Sequence, residues 1–183
     1  VSNVRPKFRH IHTMKKTLCL VIALFAFAFH SPASAGESKF PEKNPVLRYE
    51  LPAGWESEVD EKDGSISLNA KSGAISVNFA PVALDASLEV FEKLLPDMVK
   101  ALGEGSAVVD KPKEHTEDGL TGYMATYSAT IEGKPAMAVM VLFKGGKEQA
   151  VLGNIIVADP EKLSKEDNEA FAKFMQSMKG AAK

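Results

Sequence analysis

"GLTGYMATYSATIEGKPAMAVMVLF", residues 119–143, contains the fold in outline. Over residues 121–131, Tyr123, Ala125, Tyr127, Ala129 and Ile131 alternate with Met124, Thr126, Ser128 and Thr130. A two-residue period predicts a strand whose first set lies on one face. Glu132-Gly133-Lys134-Pro135 supplies turn chemistry. The run "AMAVMVLF" that follows has no polar side, and after Gly145-Gly146 neither does most of "QAVLGNIIVA". Strands apolar on both faces are covered on both faces, so these two are expected at the centre of the sheet.

Moving outward, "GSISLNAKSGAISVNFAP" sets Ile66, Leu68 and Ala70, then Ile75, Val77 and Phe79, against polar neighbours, with Lys71-Ser72-Gly73 between them. That is a hairpin with one apolar face. Between hairpin and meander the period changes: Leu88, Phe91, Leu95, Met98 and Leu102 recur at threes and fours, predicting an amphipathic helix. Asp85 is the expected N-cap and Gly103 the stop. Pro96 deletes a backbone donor inside the helix, so a kink or a break is expected there. The polar stretch "DKPKEHTEDG" reads as a connection or an exposed edge.

At the two ends, Leu47, Tyr49 and Leu51 alternate with Arg48 and Glu50 as a half-buried strand, and Pro52-Ala53-Gly54 then turns the chain. Trp55 is expected to plug the core at that corner, or else to offer a stacking platform for a ligand. In the last segment Ser164 with Asp167 resembles a capping box, and Phe171, Phe174, Met175 and Met178 form an apolar stripe. The fold class is therefore α+β, an antiparallel sheet with a helix for each face, in a single domain over residues 45–180. Residues 36–44, "GESKFPEKN", read as a flexible leader.

Residues 14–35 have the grammar of an export signal. Lys15 and Lys16 are followed by an apolar run of about a dozen residues and by Ala33-Ser34-Ala35, with cleavage expected after Ala35. The run is short against the ~20 residues that span a bilayer, so no stable anchor is expected after cleavage. Since signal peptides open on their charged residues, Met14 reads as the natural start and residues 1–13 as an over-extended one. The expected location is periplasmic or secreted.

Removing residues 1–35 takes away Arg5, Lys7, Arg9, Lys15 and Lys16 but no acid, so 22 basic against 24 acidic residues becomes 17 against 24, a net charge of −7. Such a balance argues against nucleic acid as a partner. The same removal takes Cys19, the only cysteine, and His10, His12 and His30, leaving His115. An internal disulfide, a thiolate nucleophile and a multi-histidine metal site are all excluded from the remaining chain.

The order of strand, proline turn with tryptophan, hairpin, helix, meander and terminal helix resembles the PsbP-like superfamily. The resemblance rests on "YELPAGW" (residues 49–55), "SLEVFEKLL" (residues 87–95) and residues 119–143. Among the branches of that superfamily, the bacterial DcrB-related exported proteins fit best. The resemblance implies an α/β/α sandwich around an antiparallel sheet and carries no catalytic motif.

The remaining chemistry is sparse. His115 sits among Glu114, Glu117 and Asp118, where a loose metal or acid/base site competes with a solvated turn. The acids Glu56, Glu58, Asp60, Glu61 and Asp63 miss the calcium-loop register, because Lys62 stands third from Asp60. They read as an acidic turn between strands. Neither G-x-S-x-G nor S-x-x-K occurs, and the Lys71-Ser72 pair in the hairpin turn lacks a base and oxyanion donors. Asn154 interrupts an apolar run, so its amide must find partners or line a pocket.

The expected function is that of an exported accessory or binding protein without catalytic residues, metal or cofactor. Its expected partner is an envelope protein or a small apolar ligand. Trp55, Tyr123, Tyr127, Asn154 and His115 are the candidate contacts. A carboxylate-based hydrolase and a cell-envelope stress or structural protein are the alternatives.

Overall fold

The computed structural model describes residues 36–103 and 105–181. The expected export signal and the stretch before it lie outside them. The described residues form ten strands and two α-helices, mixed α+β as the patterning predicts. A seven-stranded antiparallel sheet runs in the order β3-β4-β5-β9-β8-β7-β6, and a smaller sheet runs β1-β2-β10.

The large sheet consists of two meanders joined along one line. β3 (Trp55–Val59), β4 (Ile66–Ala70) and β5 (Ile75–Val82) make the first. β6 (Ala107–Glu117), β7 (Leu120–Ile131), β8 (Lys134–Lys144) and β9 (Ala150–Ala158) make the second. β5 pairs with β9 from Ile75↔Val157 to Val82↔Ala150. β8 and β9 are interior strands, as their two-sided apolar character requires. Along β8, Val141 and Phe143 enter one buried cluster while Ala136, Ala138, Met140 and Leu142 enter the other.

The first cluster carries most of the buried aromatic side chains. Trp55, Phe79, Phe143 and Phe174 gather there with Leu68, Val77 and Ile155. Helix α2 (Lys165–Ser177) brings Phe174, which stacks on Trp55 at 5.2 Å and meets Tyr49 edge-on at 5.9 Å. Ser164 caps this helix as its sequence predicts, accepting from Asp167 N–H at 3.0 Å while its hydroxyl donates to Asp167 Oδ2 at 2.7 Å.

Helix α1 (Leu88–Ala101) brings Phe91 and Leu95 into the second cluster. Its N-cap is Ser87 and not Asp85: Ser87 Oγ accepts from Val90 N–H at 3.2 Å. Asp85 is used elsewhere, its Oδ1 accepting from Glu148 N–H at 2.7 Å. α1 also runs unbroken through Pro96. Pro96 lies on the exposed side, as does Glu92 four residues earlier, whose carbonyl is the one that loses its partner.

Three further findings depart from the sequence expectation. Residues 36–44 are not a featureless leader, because β1 (Glu37–Phe40) pairs with β2 (Leu47–Glu50) and Phe40 is buried against Phe79 at 6.1 Å. β2 does not join the large sheet: with β1 and β10 (Lys179–Gly180) it forms the smaller one. Glu56 and Glu58 belong to edge strand β3, and the turn starts only at Asp60, whose N–H donates to Ser65 O and whose carbonyl accepts from Gly64.

β10 returns the chain to the start of the meander. Gly180 N–H donates to Asp118 O at 3.1 Å, and Ala181 N–H to Val46 O at 3.0 Å. A Cβ on Gly180 would lie 2.2 Å from Gly119 O, so only glycine allows that approach.

Candidate functional site

The face of the large sheet that meets α1 is set by the period of β7 and β8. Their register puts Tyr123 opposite Leu142, Ala125 opposite Met140, Tyr127 opposite Ala138 and Ala129 opposite Ala136. Alanines therefore make much of the floor: Ala125, Ala129, Ala136, Ala138 and Ala150 are all buried there. Above them lie Phe91, Leu95 and Leu102, with Val90, Met98 and Val99 partly buried. Short floor residues let a helix sit close, and Met98 and Met140 give the contact an adaptable filling.

Tyr123 closes one end. Its ring stacks with Phe91 at 6.4 Å, and Lys144 Nζ lies over it, 4.7 Å from the ring centroid. The same ammonium is ion-paired with Glu114 of β6. Hydrogen bonds to Glu114 foremost, and then to Tyr123, hold the Lys144 pKa above its ordinary value. Tyr127, four residues along the same strand face, is buried, and burial pushes its phenol pKa up. Burial does the same to Tyr49 in the other cluster.

Asn154 marks the opposite border. One row of paired residues crosses the sheet as Glu58, Ser67, Asn78, Asn154, Met140 and Ala125. Its first four members are polar and its last two apolar, so the change falls at the Asn154–Met140 pair. Three of the polar members are linked. Ser67 Oγ donates to Asn78 Oδ1 at 2.7 Å, and Asn78 Nδ2 donates to Asn154 Oδ1 at 3.1 Å. The amide that must find a partner finds it across the line joining the two meanders.

Removing Asn78 takes away the acceptor of Ser67 and the donor of Asn154 together. Asn78→Ala is expected to cost about 1–2 kcal/mol in urea unfolding. Combined with Asn154→Ala it should cost clearly less than the sum of the singles. Additive losses would show that the ladder contributes nothing as a unit.

Tyr123, Tyr127 and Asn154 thus share one face, which sequence alone leaves undecided. Trp55 belongs to the other cluster, 5% exposed and stacked on Phe174. His115 is exposed on β6, opposite Gly122. Ser67, Asn78 and Lys144 are additions that sequence reasoning missed, and Glu114, expected beside His115, is ion-paired with Lys144. Their partners come from other strands, and no local pattern announces such a meeting.

Among the described residues no group of three or more His, Cys, Asp or Glu side chains could hold a metal ion, and no helix is long and apolar enough to cross a membrane.

No family model matches the chain, and no curated protein matches it at a significant level. Solved structures do. The solution structure of cyanobacterial PsbP (CyanoP) from Synechocystis sp. PCC 6803 covers 87% of this chain and 99% of its own, at 11% identity and a TM-score of 0.52. The fold is PsbP-like. LpqN of Mycobacterium tuberculosis, a protein involved in cell envelope biogenesis, is similar over 80% of this chain and 91% of its own, at 12% identity and a TM-score of 0.54. A crystal structure from Bacteroides thetaiotaomicron VPI-5482 aligns with 82% of this chain at 12% identity and a TM-score of 0.47, and this chain spans 50% of that protein's length. At these identities the PsbP-like likeness is one of architecture.

Proposed function

We propose that this chain is an exported accessory protein of the cell envelope, of the DcrB-related kind, that works by binding and not by catalysis. Residues 14–35 direct its export and are removed after Ala35, and the remaining domain acts in the periplasm or outside the cell. Its seat is the α1 face, where a small apolar ligand or an apolar segment of an envelope protein is held between the helix and the alanine floor. Tyr123 and Tyr127 line the seat and Asn154 supplies its polar border.

The observation that carries this reading is the contrast between the two clusters. α2 is keyed into its cluster by Phe174 against Trp55 and Tyr49. α1 brings one ring, Phe91 against Tyr123, into a cluster that also holds five buried alanines and the methionines Met98 and Met140. A helix seated on short side chains has fewer interlocking groups to lose when it shifts to admit a ligand. We also read α1 and α2 as covers for opposite faces of the sheet, a layering supported by the alternate β8 residues in the two clusters. The PsbP-like fold, shared with a protein of cell envelope biogenesis, supports the accessory role.

The test is native mass spectrometry of the protein purified from the periplasm, against its denatured mass. Extra mass lost on denaturation supports the seat and identifies its occupant, and Tyr127→Ala should then reduce the bound fraction. A bare chain beginning at Gly36 would support export and overturn a tightly held small ligand. A chain that keeps residues 14–35 would overturn the proposed processing.

A further inference from the structure

β6 is the outer strand of the large sheet at one edge, and every residue in it except Pro112 is exposed. The strand has two unlike halves. From Val108 to Lys113 its pairing with β7 is interrupted by two register shifts. Pro112 and these irregularities are the usual devices that keep a sheet edge from pairing with another chain. From Lys113 to Glu117 the ladder is unbroken: Lys113↔Met124, Glu114↔Tyr123, His115↔Gly122, Thr116↔Thr121 and Glu117↔Leu120. Alternate residues of that half turn their N–H and C=O groups away from β7, and no proline interrupts them.

The charges of this regular half are complementary to themselves. Lys113, His115 and Glu117 lie on one face, and Glu114 and Thr116 on the other. If a second copy pairs antiparallel about a two-fold axis at His115, Lys113 of each chain meets Glu117 of the other, and Glu114 meets Thr116. Glu114 is already neutralised by Lys144 of its own chain. Lys113 and Glu117 have no ion-pair partner among the described residues.

Other registers that keep the faces of the two sheets continuous are worse. An axis at Glu114 sets that acid against itself, and one at Thr116 sets Glu114 against Asp118. An axis at Pro112 would use the whole strand, but it sets Lys111 against Lys113 and Asp110 against Glu114. Like charges directly opposite destabilise a strand pair, so the pattern selects the axis at His115.

We propose that two copies of this chain pair through residues 113–117 of β6, antiparallel about a two-fold axis at His115, to make one continuous sheet. The interface is isologous and closed, because each copy's regular edge is used once and the irregular halves flank it. It uses none of the residues proposed to line the α1 seat.

The experiment is sedimentation equilibrium of the whole protein at low and high salt, with charge reversals at two exposed positions that leave the core untouched. The wild type should be a monomer–dimer equilibrium that weakens as salt rises. Lys113→Glu and Glu117→Lys each place like charges at both ends of the pair and should each weaken dimerisation about tenfold or more. The double variant, with both reversals in every chain, should recover the wild-type association. A monomer mass at every concentration overturns the proposal. So does a dimer indifferent to either single reversal, or one that the double variant fails to restore.

Discussion

Replacing Phe174 with alanine is expected to lower the stability of the domain by about 3–5 kcal/mol. Phe174 is fully buried, and its ring is shared between Trp55 of the large sheet and Tyr49 of the small one. Truncation therefore opens a gap where α2, β2 and β3 meet, and the rings on either side lose packing at once. The total stability of a domain of this size is only ~5–15 kcal/mol, so the loss removes a large share of it. Trp55 is the only tryptophan, so its fluorescence in urea reports directly on the contact in question. The midpoint should fall with an unchanged slope. A loss below about 1 kcal/mol would mean that α2 closes over the gap and that the aromatic group does not hold the two sheets together.

Gly153→Val should be nearly as damaging, for the opposite reason. Gly153 pairs with Phe79 on one side and Val141 on the other, in the interior of the sheet. A Cβ there would stand 2.5 Å from Phe79 Cδ1 and 2.7 Å from the carbonyl oxygen of Asn78. The glycine is required for room, since its backbone is not in the left-handed region. Overfilling is expected to cost about 3 kcal/mol, or ~10 °C in Tm. Adding Phe79→Leu should recover only part of it, because the clash with Asn78 O involves backbone that cannot be trimmed. Full recovery would place the whole conflict in the ring.

Much of this architecture is legible in the sequence. The two-sided apolar runs at residues 136–143 and 150–158 announce interior strands, and the change of period at Leu88 announces α1. Ser164 and Asp167 together announce the start of α2. The small sheet is not legible. β1 is written mostly in polar residues, and what holds it lies outside its own pattern: pairing with β2, the Glu37–Arg48 ion pair and Phe40 packing on Phe79 far along the chain. Ser87 and Asp85 are both good caps on composition; the bond from Val90 N–H to Ser87 Oγ makes Ser87 the cap, while Asp85 accepts from Glu148 N–H.

The candidate site divides in the same way. That Asn154 needs a partner follows from its apolar surroundings. That the partner is Asn78 depends on β5 lying beside β9, a pairing of distant segments that no periodicity encodes. Tyr123 and Tyr127 share a strand face by spacing alone, whereas the placing of Trp55 in the other cluster depends on Phe174, which comes from the final helix.

The line between β5 and β9 also bears on how the chain reaches this structure. Every other pairing in the large sheet joins strands that follow one another directly, so each meander can form from local interactions. The β5–β9 pairing must instead close the chain from Val82 to Ala150, and the entropy of that closure is lost before the two strands can touch. The two halves are therefore expected to form early and dock late. The Asn78–Asn154 bond then acts as a register mark at the moment of docking: a slip of one residue would turn Phe79 out of the core and carry the two amides apart.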